Sequence, residues 1–459
     1  MITTKELPSW KPRSYQTDAI RLGITQACAG FLLRPGMGKT TIIYAIVKIL
    51  KSKALMKRAL VIAPIKPMYN VWPNQCHAWK EFDDLKVIVC HGPSRVQSLL
   101  ADGYDIHVIN PEGLEWAMAY EKQIRERFDI LVVDESTKFK NTTTQRFKRI
   151  KNLIKWFRRR YILTGSFSPN GLEDLFGQVY VLDEGAALGR FITHYRKNYF
   201  YPDYMGYNWT PHPWAAEKIA EKIAPLTLVL EREGNIDLPE LLPPNDIFVE
   251  LPSESRKKYA EMEGLMIAAI EEDKIIAANA AVATSKCRQI ANGFIFDEEK
   301  NWHNLHDAKI EAVQDLVDQL SGEPLLLVYE FIPDLEKLRK AFPNATWLTS
   351  GNAKRDEMAI QIFCAGKAPV GLAQVTSISL GIDGLQRSCS NICMYALTWN
   401  LEAYSQTIDR VWRTGNPSRI VSLHRIIAKD TVDEVVIARL AGKELTQTEF
   451  LKLLKEKRS

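Results

Sequence analysis

The run Leu33-Arg34-Pro35-Gly36-Met37-Gly38-Lys39-Thr40 sets two glycines, a lysine and a threonine in the order a phosphate-cradling loop needs. Gly36 and Gly38 permit backbone angles that turn N–H groups toward an anion, and a helix opening at Lys39 would add the positive end of its dipole. Lys39 would reach the outer phosphates of a nucleoside triphosphate and the Thr40 hydroxyl would ligate Mg²⁺, with Pro35, Met37 and Thr41 completing the loop. Leu33 stands where such loops usually begin with glycine, and a glycine-rich turn before a core helix would look alike. A second element separates the two. Phe128 to Glu135 is an apolar run ending in two adjacent carboxylates, about 95 residues beyond Lys39. There Asp134 would hold Mg²⁺ and Glu135 would orient or deprotonate an attacking water. Far along the chain, Arg410 and Arg413 are three apart, with Gln406 a turn earlier, so one face of a helix or turn can present all three. Guanidinium groups aimed at a transferred phosphoryl are worth roughly 10³ to 10⁵ in rate.

These groups need strand ends that converge. Short apolar runs at 31–33, 59–63, 86–90, 107–110, 130–133 and 161–163 read as buried parallel strands, with room between them for crossover helices. The pattern resumes at 325–329, 345–348, 370–374, 391–395 and 421–427. The expected architecture is therefore α/β, with two doubly wound parallel-sheet lobes. Between them, a mostly helical insertion holds an aromatic stretch (195–214), a Pro-rich passage (238–244) and a helical run (254–290). The expected limits are 1–170 for the nucleotide-binding lobe, 171–305 for the insertion and 306–459 for the arginine-bearing lobe.

In order along the chain, these motifs resemble the superfamily-two nucleic-acid translocases, most closely the Swi/Snf-type remodelling ATPases. Lys11-Pro12-Arg13-Ser14-Tyr15-Gln16 is similar to the family's adenine-recognition segment, which implies Gln16 and Arg13 as readers of the base. Val61-Ile62-Ala63-Pro64 resembles a motif that contacts the tracked strand, implying Pro64 and Lys66 as phosphate contacts. Leu163 to Asn170 resembles the stretch linking hydrolysis to lobe movement. Ser136-Thr137 replaces the commoner Ala-His after the acidic pair. Ser379-Leu380-Gly381-Ile382-Asp383 is similar to the fifth motif, implying Asp383 at ribose or at the arginine fingers. Trp399-Asn400 followed by Gln406 to Gly415 resembles the sixth motif, the most specific segment in the chain. The resemblance implies two RecA-like lobes, ATP with Mg²⁺, and motion along duplex DNA. The chain is short for a chromatin remodeller, so a compact prokaryotic or viral version serving replication, recombination or repair is expected.

From Lys138 to Arg160 there are ten Lys or Arg and no acidic residue, a run that suits phosphate contact through Lys138 and Lys140 as well as it suits a solvated face. Thr376, Ser377 and Ser379 could donate to backbone phosphates without reading sequence. The aromatics of 195–214 could stack on bases, although packing of the insertion is the plainer account. A net charge of +5 and a pI of about 8.6 are compatible with nucleic acid without arguing for it. Seven scattered cysteines suggest free thiols rather than a disulfide framework or zinc site. His303 and His306 are expected at the surface. No apolar run reaches bilayer length, so a cytoplasmic setting, prokaryotic or in an infected host, is expected.

The sequence thus points to an ATP-dependent DNA translocase acting on duplex. A strand-separating DNA or RNA helicase is the near alternative, and a catalytically inert nucleic-acid-binding scaffold the alternative of another class.

Overall fold

The computed structural model describes residues 7–204, 208–230, 237–271, 276–379 and 382–458. They form two compact units, Met1–Ile236 with Lys443–Ser459, and Asp237–Gly442. The stretch 171–305, expected as one insertion, is divided between them. Its first part buries Leu175, Val179, Val181 and Leu182 of helix Glu173–Asp183 in the first unit's core. Its second part supplies a strand to the other sheet.

In the first unit the strands are β1 (Cys28–Leu33), β2 (Ala59–Ile62), β3 (Val87–Val89), β4 (Ile106–Ile109), β5 (Ile130–Asp134) and β6 (Arg159–Thr164). They are followed by the hairpin β7 (Phe200–Pro202) and β8 (Trp209–Pro211), then β9 (Thr227–Leu230). The main sheet runs β3-β4-β2-β5-β6-β1-β9 and is parallel throughout. Burial on both faces explains the continuous apolar runs. Phe31, Leu33, Val61, Val132 and Leu163 enter one core. Leu32, Ile62, Val133 and Ile162, their neighbours in sequence, enter the other. Because β5 and β6 lie between β2 and β1, the chain leaving β1 must cross over both. That reversal opens a crevice at the carboxyl edge of the sheet, where such folds bind ligands.

The second unit has β10 (Glu240–Leu241), β11 (Asn245–Val249), the hairpin β12 (Phe294–Phe296) with β13 (Trp302–Asn304), β14 (Leu325–Tyr329), β15 (Thr346–Trp347), β16 (Val370–Gln374), β17 (Asn391–Met394) and β18 (Ile420–Ala428). Its parallel sheet runs β18-β17-β14-β16-β15, with β10 and β11 each pairing along β18. A buried polar cluster ties the unit together. Lys309 donates to Asp433 at 2.6 Å and to Asn292 at 2.8 Å, and Asn292 donates in turn to Asp334. Burial pushes the Asp334 carboxyl up to about 7. His306, expected at the surface, is instead buried, with its ring paired to the Ile290 carbonyl at 2.8 Å. Burial holds its pKa down at about 4. Sequence spacing could not show that β13 folds back onto Gly293, which draws His306 inward. His303 remains exposed and pairs with Asp297.

Candidate functional site

β1 delivers the chain to a turn at 34–38, after which helix Lys39–Ser52 begins. Gly36 and Gly38 both lie at positive φ, 86° and 77°. At Gly38 a Cβ would sit 2.5 Å from Gln16 Nε2 and 2.8 Å from Thr41 Oγ1, so any other residue would have to displace both side chains and adopt a left-handed backbone. The turn is braced from behind: Tyr15 Oη and Gln16 Nε2 both donate to the Met37 carbonyl, at 3.1 and 3.3 Å. The Gln16 amide oxygen accepts from Arg13 N–H at 3.0 Å. The Nε2 end of this amide, expected to read adenine, thus braces the turn, while its oxygen caps the helix Ser14–Thr25. Gly165 approaches from β6, where a Cβ would meet Pro35 Cδ at 3.0 Å.

β5, two strands from β1, brings Asp134 and Glu135 to the same edge. Glu135 takes a left-handed backbone conformation (φ 54°, ψ 62°), rare for a residue with a Cβ and frequent where strain serves a site. Its Oε1 lies 3.5 Å from Lys39 Nζ. The ammonium and Glu135 Oε2 are both buried without a hydrogen-bond partner. Asp134 is nearly buried and accepts from the Trp72 indole N–H at 3.0 Å. Desolvation, then the neighbouring Glu135 charge, push its carboxyl up to about 6. Trp72 is held by Tyr44 of helix Lys39–Ser52, whose hydroxyl donates to the Trp72 carbonyl. Neither Trp72 nor Tyr44 was legible as part of the site, since each reads as a core aromatic.

A phosphate-bearing ligand with a divalent cation fits this donor set. The turn supplies backbone donors and Lys39 an unsatisfied ammonium. Asp134 and Glu135 supply carboxylate oxygens, and Thr40 lies in the first turn of the helix. Among the described residues no cluster of three or more His, Cys, Asp or Glu is placed to hold a metal alone. A Mg²⁺ here would complete its shell from phosphate and water, as that ion commonly does.

The acidic turn is wired to the loop after β6. Ser136 Oγ donates to Gln178 Oε1 at 2.7 Å, and Gln178 Nε2 donates to the Phe167 carbonyl at 2.7 Å. Asp174 accepts from Asn170 N–H at 2.9 Å and pairs with Lys140 at 3.3 Å. Lys140, expected at phosphate, is thus already paired with a carboxylate. Much of the basic run is similarly committed. Arg159 donates to the carbonyls of Gly23, Ile24 and Gln26, Arg160 to those of Leu182 and Ile154, and Arg146 pairs with Glu112. Lys138 is half-buried, and Arg158 is mostly exposed. Pro64 and half-buried Lys66 open a short helix, Ile65–Asn70, on which Ile65 and Tyr69 are exposed.

In the second unit, Asn400 caps helix Leu401–Val411 by accepting from Ala403 N–H at 3.2 Å. Gln406 donates to Glu402 at 3.3 Å, and Arg410 is half-buried in the last turn. The helix closes at Val411, so helical spacing does not carry Arg413 onto the face of Arg410. Arg413 lies in the turn beyond, where Asp383 accepts from its Nη1 at 2.6 Å. Thr376 is exposed, and Ser377 donates to Gln374 at 3.2 Å. The side chain of Ser379 lies outside the described residues.

The family model of the SNF2-related domain matches residues 15–305, well over half of the chain. A protein designated p41, from Acyrthosiphon pisum secondary endosymbiont phage 1, is 31% identical over 98% of this chain and 100% of its own length. A SWI/SNF-related matrix-associated actin-dependent regulator of chromatin subfamily A-like protein 1 from Xenopus laevis is 24% identical over 92% of this chain, which spans 42% of that protein. MG018 of Mycoplasma genitalium, named an uncharacterized ATP-dependent helicase, is 23% identical over 87% of this chain and 38% of its own length. Among solved structures, the SWI2/SNF2 ATPase core of Sulfolobus solfataricus in complex with dsDNA aligns over 99% of this chain and 97% of that one, at 20% identity and a TM-score of 0.45. Among the described residues, no helix is long and apolar enough to cross a membrane.

Proposed function

This chain belongs to the SNF2-related family of helicase-like ATPases, and from that premise we propose that it couples Mg-ATP hydrolysis to sequence-independent movement along double-stranded DNA. The observation that carries the reading is the meeting of Lys39 with Glu135 beside Asp134, each of the first two retaining unused hydrogen-bonding capacity. In this reading the 36–41 backbone receives the phosphates and Lys39 neutralises the outer ones. Thr40 and Asp134 hold Mg²⁺, which when bound screens the phosphoryl oxygens. Glu135 orients the attacking water or takes its proton, and Trp72 fixes the carboxylate of Asp134. Arg13 and Gln16 serve the adenine end, Gln16 by giving up its hold on the Met37 carbonyl. Arg410 and Arg413, with Gln406, stabilise charge on the transferred phosphoryl, and Asp383 orients Arg413. Pro64, Lys66, Lys138, Thr376, Ser377 and Ser379 contact DNA phosphates, and Lys140 joins them by exchanging its Asp174 partner. A phage relative matched end to end supports a compact viral or prokaryotic motor for replication, recombination or repair.

The test is ATP turnover by the purified chain with duplex DNA, single-stranded DNA or RNA. Duplex should stimulate most, and Glu135→Gln should bind ATP yet lose turnover by about 10² or more. Equal rates for the variant would remove Glu135 from this role. Displacement of a triplex strand without unwinding of a plain fork is expected; efficient fork unwinding would establish the strand-separating alternative instead.

A further inference from the structure

The aromatic stretch 195–214 divides into two groups. Tyr195, Tyr199 and Phe200 are buried in the first unit's core, with Tyr195 Oη donating to the Leu172 carbonyl. Tyr201, Tyr204 and Trp214 are 49%, 100% and 47% exposed. They stand on or beside the β7–β8 hairpin, and two of them belong to a continuous row. His212 lies flat on Trp214, centroids 5.1 Å apart and planes within 5°, while Tyr201 adjoins His212 at 5.4 Å. Trp214 also adjoins Tyr199 at 6.1 Å, which anchors the row to the core. Cations flank it: the Arg196 guanidinium, whose Nε donates to Glu173 at 2.7 Å, turns its face over Trp209 at 5.5 Å, and the Lys222 ammonium lies 5.9 Å from the Tyr199 ring. Lys197 is exposed on the preceding helix. The hairpin's own carboxylate, Asp203, is bonded to Asn208. Pro202 and Pro211 deprive the hairpin strands of N–H donors, which makes the edge a poor template for an added protein strand.

We infer that this row is a stacking platform for the unpaired bases of a single-stranded nucleic acid, whose phosphates meet Arg196, Lys197 and Lys222. Every base offers a flat face, so such a platform is indifferent to sequence. The inference rests on the nucleic-acid motor reading and extends it. Alongside a duplex track, the first unit would engage an unpaired stretch such as that at a fork.

The experiment measures binding of fluorescein-labelled oligothymidine to the full chain by anisotropy, and quenching of a 2-aminopurine placed within the same oligonucleotide. Tyr201→Ala/Trp214→Ala should weaken binding roughly tenfold or more and abolish quenching. Both side chains are exposed, so folding should be retained, as a thermal melt would verify. Tyr201→Phe, which keeps the ring, should bind as the unaltered chain does. Unchanged affinity and quenching in the double variant would overturn the inference, as would a face that takes a protein partner but no oligonucleotide. If duplex fails to stimulate turnover while the rings still bind oligothymidine, the motor reading falls and the platform stands. If duplex stimulates and the ring substitutions change nothing, the reverse holds.

Discussion

Asp134→Asn should stabilise the first unit while abolishing ATP turnover. The carboxyl is buried beside Glu135 and displaced from its ordinary 3.8 to about 6. Its neutral form is therefore favoured in the folded chain by about 3 kcal/mol, at roughly 1.4 kcal/mol for each tenfold change in proton affinity. Below pH 3.8 this group is neutral whether the chain is folded or unfolded, and its favourable contribution is present in full. As pH rises through about 6 the folded chain must carry a buried charge, and the contribution is lost. Asparagine removes the charge and keeps an oxygen for the Trp72 indole, whose support of the ionised carboxylate is already part of that displacement. The net gain near pH 7 is about 3 kcal/mol, or roughly 6–12 °C in the melting temperature of a domain this size. The assay is thermal unfolding of both proteins in EDTA without nucleotide, from pH 4 to 8. The gap should be small at pH 4, open between pH 4 and 6, and stay level above. A variant no more stable at pH 7, or one showing the same gap at every pH, would refute the reasoning.

Trp72→Phe deletes the indole donor to Asp134 while retaining most of the buried ring. It should lower ATP turnover at least about tenfold, and its stability loss should shrink when combined with Asp134→Asn, a coupling of about 1 kcal/mol or more in a double-mutant cycle. Lys309→Met leaves the buried Asp433 carboxylate with only the Ala428 N–H and its own turn as partners. The second unit should lose about 3–5 kcal/mol in urea unfolding, with part recovered when Asp433 is also made apolar.

Much of this architecture was legible because strands buried on both faces leave continuous apolar runs. β5 announced itself as Ile130 to Val133, with its acidic end attached. β9, β10 and β11 did not. Thr227–Leu230 follows a proline-bearing turn and joins β1 from nearly the far end of the unit, a pairing that local pattern cannot encode. The basic run misled in proportion to its density. Arg159 and Arg160 are bound by backbone carbonyls, acceptors that have no letter in a sequence. The glycine turn at 34–38 and the acidic strand end were readable as elements because both depend on residue type at fixed spacing. Trp72 was not, since an indole meets a carboxylate 62 residues away only through the parallel pairing of β2 with β5. Arg413 shows the same limit at short range. Three residues define a helical face only while the helix lasts, and here it stops at Val411.

The energetic state of the first unit's site follows from the same contacts. Glu135 is held in a left-handed conformation that costs of order 1 kcal/mol or more for a residue with a side chain. Asp134 resists ionisation, and Lys39 and Glu135 face each other across 3.5 Å with a buried ammonium and a buried oxygen left unsatisfied. Each of these penalties is relieved by one kind of ligand. Phosphate oxygens would satisfy the ammonium, and a divalent cation would favour ionised Asp134. A water in line with the phosphoryl would give the strained Glu135 a proton to accept. On the proposed function, affinity for a metal–triphosphate would be drawn partly from misfits already built into the fold. A stabilising substitution at these positions should therefore be one that disables turnover, because the same misfits supply both the instability and the chemistry.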